Sequence, residues 1–304
     1  MQMSLIVAAQ VLVMFILAGI GYLMFRFGKI TLEGNRTIGN ILIYLSLPVV
    51  IIKGFQVERT AGNTEALLVS AAAGIAIVFV GGFVARIFLK KDPVECFAGT
   101  FSNPSFFGIP LVTSVLGQDA VFYMTGFIAA MNIGQWTYGV GILKGERTKP
   151  DLRSILTAPF LIAALIGLVL YFTAAALPGV VQNALDFVAA VNTPLAMFSV
   201  GVYLAETDLH ALLGRNGAYK VAAVRLVAVP LSILACLSIL PQEFFAVKMA
   251  LLIAQACPVA SMVAVYSQLY GNDYAHATET IVVSVLASIV TIPVMVGLAQ
   301  IVWL

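Results

Sequence analysis

The stretch Gly99-Thr-Phe-Ser-Asn-Pro-Ser-Phe-Phe-Gly-Ile-Pro-Leu111 puts Pro104 inside an apolar segment that otherwise predicts a membrane-spanning helix. Proline lacks a backbone N–H and clashes with the preceding turn, so we expect a helix in this segment to break. A matching break is predicted in the second half of the chain, at Cys257-Pro258. Broken helices at corresponding places in two halves of a membrane protein indicate the binding site of a transporter.

An internal repeat relates the two breaks. Three pairs of residues are each 154 positions apart: Pro104 and Pro258, Gly117 and Gly271, and Asp119 and Asp273. Two earlier pairs are each 146 positions apart: Ile20-Gly21 and Ile166-Gly167, and Pro48 and Pro194. The pattern favours two copies of one structural unit, and the alternative is that Pro48 and Pro194 only kink ordinary helices.

The composition is that of a membrane protein. Of 304 residues, 61% are hydrophobic and 10% are charged, and the mean hydropathy is +1.04. Ten apolar segments, most about long enough to cross ~30 Å of hydrocarbon, follow one another: 4–26, 36–55, 65–89, 94–115, 119–143, 153–175, 182–205, 217–239, 242–269 and 274–302. We therefore predict an all-α polytopic membrane protein with ten transmembrane helices. The net charge of +2 excludes nucleic acid as a partner.

A polar stretch from Lys144 to Arg153 divides these segments into five and five. Because each half has an odd number of spans, the second half must insert upside down relative to the first. We predict two inverted five-helix repeats, at residues 1–145 and 153–304, joined by a cytoplasmic linker at residues 146–152. Broken helices 4 and 9 should then cross at the membrane midplane.

The positive residues predict the orientation in the membrane. Thirteen of the 16 Lys and Arg residues follow segments 1, 3, 5 and 7 or lie early in segment 8, whereas Lys53, Arg59 and Lys248 lie on the other side. Positive loops are retained in the cytoplasm. The sequence therefore predicts a multi-pass protein of the cell inner (plasma) membrane, with both termini on the non-cytoplasmic side.

This topology predicts an anion site. The second halves of segments 4 and 9 begin near the midplane with their N-termini directed at each other. Each N-terminus carries roughly half a positive charge and free N–H groups, so a carboxylate is the expected guest. Asn103 before Pro104 is predicted to cap its half-helix, whereas Cys257 is a poorer cap and leaves more N–H groups for substrate. The first halves of segments 4 and 9 also end near the midplane, and a helix C-terminus carries a partial negative charge. The binding of a cation beside the anion therefore stays open.

Polar residues within the segments, together with the two prolines of the breaks, are the candidate substrate contacts, because polar groups are costly in hydrocarbon and often functional. The candidates lie at the two breaks, on segment 5 and before Pro194: Asn103, Pro104, Ser105, Cys257, Pro258, Gln255, Ser261, Asn132, Gln135 and Asn192. For Asn132 and Gln135 the alternative is a helix–helix hydrogen bond. For Asn192 it is the satisfaction of carbonyls freed by the kink. Arg225 is expected within a few turns of the cytoplasm, where snorkelling of its side chain is one interpretation.

Other polar residues bear on whether transport is coupled to an ion and on whether the protein is an enzyme. His276 and Glu279, one turn apart near the start of segment 10, are the candidates for a proton relay, with solvated interface residues as the alternative. No Asp or Glu lies next to either break, which weakens a sodium/proton antiporter interpretation. The sequence has no metalloprotease helix, nucleophile elbow or paired intramembrane Asp. Neither an enzyme nor a cofactor or metal site is predicted.

The residues at the breaks resemble a known family. Gly99 to Leu111 is similar to the helix 4 signature of the auxin efflux carrier family, and Ala256-Cys-Pro-Val-Ala260 with Tyr270-Gly271 is similar to its helix 9 counterpart. The resemblance implies a crossed ten-helix fold that binds an organic anion. It also implies a dimerising scaffold of helices 1, 2, 6 and 7, with helices 3–5 and 8–10 as a moving transport bundle. Similar bacterial members are associated with malate or malonate, and plant PIN-type members with auxin.

The sequence differs from that family at one of the two breaks, and it leaves three functions open. PIN-type carriers have Asn before both crossing prolines, whereas this chain has Cys257 at the second. The first function is an elevator-type or rocking carrier of small organic anions, by uniport or with proton or sodium coupling. The second is a sodium-coupled symporter of larger organic anions, similar to bile acid transporters, and the third is a membrane-embedded receptor. The expected partners are the anion, a coupling ion, membrane lipids and a second copy of the chain.

Overall fold

The computed structural model describes residues 2–145, 156–208, 212 and 216–304. Regular structure in these residues is helical, apart from one isolated β-bridge. The predicted linker at residues 146–152 lies outside them. Four of the Lys and Arg residues from which the membrane orientation is predicted also lie outside them: Arg147, Lys149, Arg153 and Arg215.

Helices form over each of the ten apolar segments, and we number them by segment. In chain order they are α1 (Gln2–Arg26), α2 (Leu32–Gly54), α3 (Ala61–Leu89), α4a (Pro93–Thr100), α4b (Pro104–Leu116), α5 (121–144), α6 (Pro159–Thr173), α7 (Gly179–Glu206), α8 (Asn216–Leu237), α9a (Phe245–Ala256), α9b (Met262–Leu269) and α10 (Tyr274–Trp303). In the described part of the chain, α1, α2, α3, α7, α8 and α10 are long and apolar enough to cross a membrane. The protein is therefore a multi-pass membrane protein.

Local chemistry explains where the helices start, bend and stop. Thr60 and Asp273 cap α3 and α10 by accepting hydrogen bonds from the N–H groups of the first turn. Gly117 and Gly271, paired by the repeat, both adopt positive φ angles, 87° and 73°, which favour glycine. Wider π turns interrupt α2, α5 and α8 at Leu42–Ser46, Gln135–Gly139 and Val224–Ala228. Such turns occur frequently at functional sites.

The two halves of the chain pack through glycines. Helix α1 packs on α7, and α6 packs on α2. A side chain at Gly21 or Gly201 would meet backbone atoms across the α1–α7 contact, and one at Gly167 would meet the ring of Phe55, the residue that follows α2. Small residues at these positions let the helices approach closely.

Candidate functional site

The two predicted breaks are present, and they lie against each other. Ser102 and Val259 form the antiparallel β-bridge. Around it, the N–H of Asn103 donates to the carbonyl of Pro258, and the N–H of Ala260 donates to the carbonyl of Phe101, both at 3.0 Å. The crossing therefore satisfies backbone groups that the broken helices release, as a membrane interior requires.

Asn103 caps the half-helix α4b, as predicted. Its Oδ1 accepts from the N–H of Phe106 at 3.3 Å, and its Nδ2 donates to Ser261 Oγ at 3.2 Å. One side chain therefore both caps α4b and connects it to the residue that precedes α9b.

The second break is longer than the first and has a different chemistry. Helix α9a ends at Ala256 and α9b begins at Met262, so Cys257 follows the first half-helix and is not the cap of the second. The Cys257 thiol is fully buried and donates to the carbonyl of Ile253 at 3.2 Å. Ser261, at the start of α9b, makes no side-chain cap. This half-helix begins without the side-chain hydrogen bond that Asn103 gives to α4b.

A cavity of about 590 Å³ lies beside the crossing. Its walls come from α2, α5, the start of α6 and α9b, and six of the predicted site residues line it: Asn103, Pro104, Ser105, Asn132, Gln135 and Ser261. The first residues of both second half-helices, Pro104 and Met262, are in its wall, and the described lining contains no charged side chain. The positive helix ends are therefore not neutralised by an acidic lining residue, and they favour an anion.

Aromatic side chains that sequence reasoning did not single out form another part of this wall. Tyr44, Trp136 and Tyr266 line the cavity, and the rings of Trp136 and Tyr266 meet edge to face with centroids 5.7 Å apart. The Tyr266 hydroxyl is buried without a hydrogen-bond partner among the described residues. No sequence signal distinguishes these aromatic residues from the many others in apolar segments, because their role depends on which segments meet.

Asn192 separates this cavity from a second one. The second cavity, of about 490 Å³, lies between α1, α2, α4b and α7, and Asn192 lines it. Asn192 Nδ2 donates to the carbonyl of Ser105, in the wall of the first cavity, at 3.4 Å. Its Oδ1 accepts from Ser46 Oγ at 3.2 Å. Ser46 and Asn192 each lie two residues before a repeat-paired proline, Pro48 or Pro194, and the 146-residue offset was a signal that could have found this pair.

Gln255 and Pro258 belong to the framework of the crossing rather than to the wall of the first cavity. Gln255 is completely buried, and its Oε1 accepts from Ser102 Oγ at 3.4 Å. Pro258 contributes the carbonyl that accepts from Asn103. Neither residue lines the first cavity.

Arg225 lies behind the crossing, on the π turn of α8, and is 0% exposed. Its Nη1 donates to the carbonyls of Gly99 and Thr100 at 3.2 and 2.9 Å, and its Nη2 donates to the carbonyl of Gln255. These carbonyls belong to the last turns of α4a and α9a. The interpretation of Arg225 as a snorkelling residue is therefore wrong, because two helix ends hold its guanidinium inside the protein.

His276 and Glu279 lie apart from both cavities; both are buried, and they form a cluster with the partly buried Glu95 of α4a. His276 Nδ1 is 3.4 Å from Glu279 Oε2, and His276 Nε2 is 3.6 Å from Glu95 Oε1. The cluster joins α4a to α10, and Glu95 was not predicted as part of it. A proton relay through His276 and Glu279 stays a prediction.

Comparison with known proteins gives a family and two relatives. A family model described as "Membrane transport protein" matches residues 6–296. A Rhizobium meliloti protein named "Putative malonate transporter" is 27% identical over 302 residues, covering 94% of this chain and 93% of the relative. An uncharacterized transporter of Methanocaldococcus jannaschii is 26% identical over 218 residues, covering 66% of this chain and 69% of the relative.

Proposed function

Because the chain belongs to this family of membrane transport proteins, the family that the residues at its breaks resemble, we propose that it carries small organic anions. The family is one of transporters and not of enzymes. The observation that supports the proposal is the cavity at the crossing, where two half-helices begin beside Asn103, Ser105 and Ser261. Helix N-termini and neutral donors suit a carboxylate, and the aromatic wall suits a short carbon skeleton. A dicarboxylate such as malonate or malate fits both, and one relative is named for malonate.

The proposal includes ten transmembrane helices in two inverted repeats. A two-fold relation between the halves requires that the α1–α7 contact reappear as an α6–α2 contact, and both contacts are present. Residues in these contacts occupy equivalent positions of the two halves, 146 residues apart: Gly21 is equivalent to Gly167, and Phe55 is equivalent to Gly201. The repeat-paired glycines therefore have equivalent packing roles, which supports the two-fold repeat, and the odd number of helices in each half makes the proposed repeat an inverted one.

Transport by alternating access, with an elevator-type movement, is the proposed mechanism. Each cavity has one wall from helices 1, 2, 6 and 7 and another from helices 3–5 and 8–10. Sliding of the second group along the first would expose the crossing to either side in turn. In this proposal both termini face away from the cytoplasm of an inner-membrane protein, and helices 1, 2, 6 and 7 form a homodimer scaffold.

Uptake into proteoliposomes tests the function. We expect saturable uptake of at least one labelled mono- or dicarboxylate, measured from a panel with and without sodium and pH gradients. Protein-free liposomes are the control for leakage. If folded, inserted protein transports none of them, the carrier proposal fails, and saturable binding without uptake would favour a receptor.

Asn192→Leu is expected to lower uptake at least about tenfold, since buried hydrogen-bonding groups left unpaired cost roughly 1–3 kcal/mol. The change removes the bonds from Asn192 to Ser46 and to the Ser105 carbonyl while keeping a similar volume. Initial rates of uptake by equal amounts of inserted protein measure the effect. The matched control is Ser199→Ala, which removes another α7–α2 hydrogen bond, from Ser199 to Asn35, away from both cavities. Equal rates in the two variants would contradict a role for Asn192 between the cavities.

Cys257→Ser is expected to leave the order of substrate preference unchanged. A serine hydroxyl can donate to the Ile253 carbonyl as the thiol does, and residue 257 is not in the cavity wall. Competition of unlabelled carboxylates against labelled substrate measures the preference. Ser261→Ala is the comparison, because Ser261 lines the cavity and accepts from Asn103, and its loss should weaken binding. A changed preference in Cys257→Ser would place this side chain in contact with substrate.

A further inference from the structure

We propose that Arg225 takes the place of a coupling cation behind the crossing, so that the protein has no sodium site there and transport does not require sodium. Sodium-independent transport rests on the proposed function, whereas the lack of a sodium site behind the crossing follows from the geometry of Arg225 alone.

The surroundings of Arg225 are those of a cation site. Transporters with broken helices hold sodium or protons at half-helix C-termini and unwound carbonyls. Here three carbonyl oxygens at the ends of α4a and α9a, those of Gly99, Thr100 and Gln255, all accept hydrogen bonds from the guanidinium of Arg225. The arginine side chain therefore lies where the two helix C-termini come together.

The charges agree with this assignment. Each helix C-terminus carries roughly half a negative charge, so two together balance about one positive charge. Arginine supplies one permanent positive charge. All three described hydrogen-bond acceptors of Arg225 are backbone carbonyls. The helix ends therefore neutralise Arg225, and a sodium ion beside it would be repelled and would find these oxygens already in use.

Arg225 also fastens the two broken helices together. Its planar guanidinium directs one nitrogen at α4a and the other at α9a, which a lysine ammonium cannot do with the same rigidity. Arg225 thus fixes the first half-helices on one side of the β-bridge, while the second half-helices begin at the cavity. It acts as a positioning residue for the anion site and does not contact the cavity itself.

Thermal unfolding of the purified full-length protein tests for a sodium site without relying on transport. A ligand that binds only the folded state raises the unfolding midpoint by several degrees at saturation. We expect equal midpoints in NaCl, KCl and choline chloride at the same ionic strength. A saturable increase specific to sodium would overturn the proposal.

Variants at position 225 test the role of the charge. Arg225→Ala should lower the unfolding midpoint, and millimolar guanidinium chloride should restore part of the loss where equal KCl does not. Arg225→Lys should lie between wild type and Arg225→Ala. The matched control is Arg86→Ala, which removes an exposed arginine and should show neither the loss nor the rescue. A midpoint for Arg225→Ala equal to that of wild type would overturn the proposal, as would rescue by KCl to the same extent.

The outcomes separate this inference from the proposed function. If wild-type protein transports carboxylates only when sodium is present, the inference fails and the carrier function stands. If it transports no carboxylate, the carrier function fails, and the sodium dependence of unfolding still decides the inference. Should Arg225→Ala fail to fold, the wild-type and Arg225→Lys measurements in the three salts decide it.

Discussion

Asn103→Asp is expected to lower carboxylate uptake at least about a hundredfold, since two like charges about 4 Å apart repel by roughly 4 kcal/mol at a partly solvated site. Aspartate is as good an N-cap as asparagine, so its carboxylate can still accept from the N–H of Phe106. The variant loses the donor to Ser261 and places a negative charge where the helix N-termini attract an anion. The fold should therefore persist while binding fails.

Uptake by reconstituted protein, together with the unfolding midpoint in detergent, separates these effects. Asn103→Ala loses the cap as well and should also abolish transport while insertion persists. The matched control is Thr60→Ala, which removes the N-cap of α3 outside both cavities and should cost only about 1 kcal/mol of stability. Near-normal uptake by Asn103→Asp would remove Asn103 from the site.

A pH series adds a second readout for the same variant. Protonation of the introduced carboxylate would neutralise its charge, so uptake by Asn103→Asp relative to wild type should rise as the pH falls. Measuring both proteins at each pH cancels the effect of pH on the substrate. A ratio that stays constant with pH would contradict charge repulsion as the cause of the loss.

The breaks and the cap could be predicted from the sequence because they depend on local chemistry. Pro104 and Pro258 cannot donate to a continuing helix, and Asn before Pro is a strong start signal wherever the two occur. The length of the second break could not be predicted in this way. Residues 257–261 stay out of the helix where Val259 pairs with Ser102, a contact between segments 157 positions apart.

Arg225 shows the main limit of reading charges in an apolar sequence. Hydropathy and the positive-inside rule treat an arginine near a segment end as a loop or interface residue. Its actual partners are carbonyls 126 and 30 positions away, on two other helices. The same limit applies to Glu95, which meets His276 only because α4a packs on α10. Such pairings depend on the tertiary arrangement and leave no periodic signal.

Gly201→Ala is expected to prevent stable packing of the scaffold. A Cβ at Gly201 would overlap the carbonyl oxygen of Ala18 and the amide nitrogen of Tyr22 on α1. Both are backbone atoms, so the clash can be relieved only by separating two helices. Overpacking typically costs about 1–3 kcal/mol and more where side chains cannot adjust. We expect the variant to lose its monodisperse peak in size-exclusion chromatography, or to unfold at least about 5 °C lower.

Gly19→Ala on α1 is the matched control, because nothing lies within 4 Å of a Cβ at that position. It should leave the unfolding midpoint unchanged or slightly higher, since alanine is the better helix former. The comparison also tests which helices move. A fixed scaffold requires α1 and α7 to stay in contact throughout transport, so Gly201→Ala should impair folding and uptake together. If Gly201→Ala folds normally and loses only uptake, the α1–α7 contact must open during the cycle, and the boundary between scaffold and moving bundle would have to be redrawn.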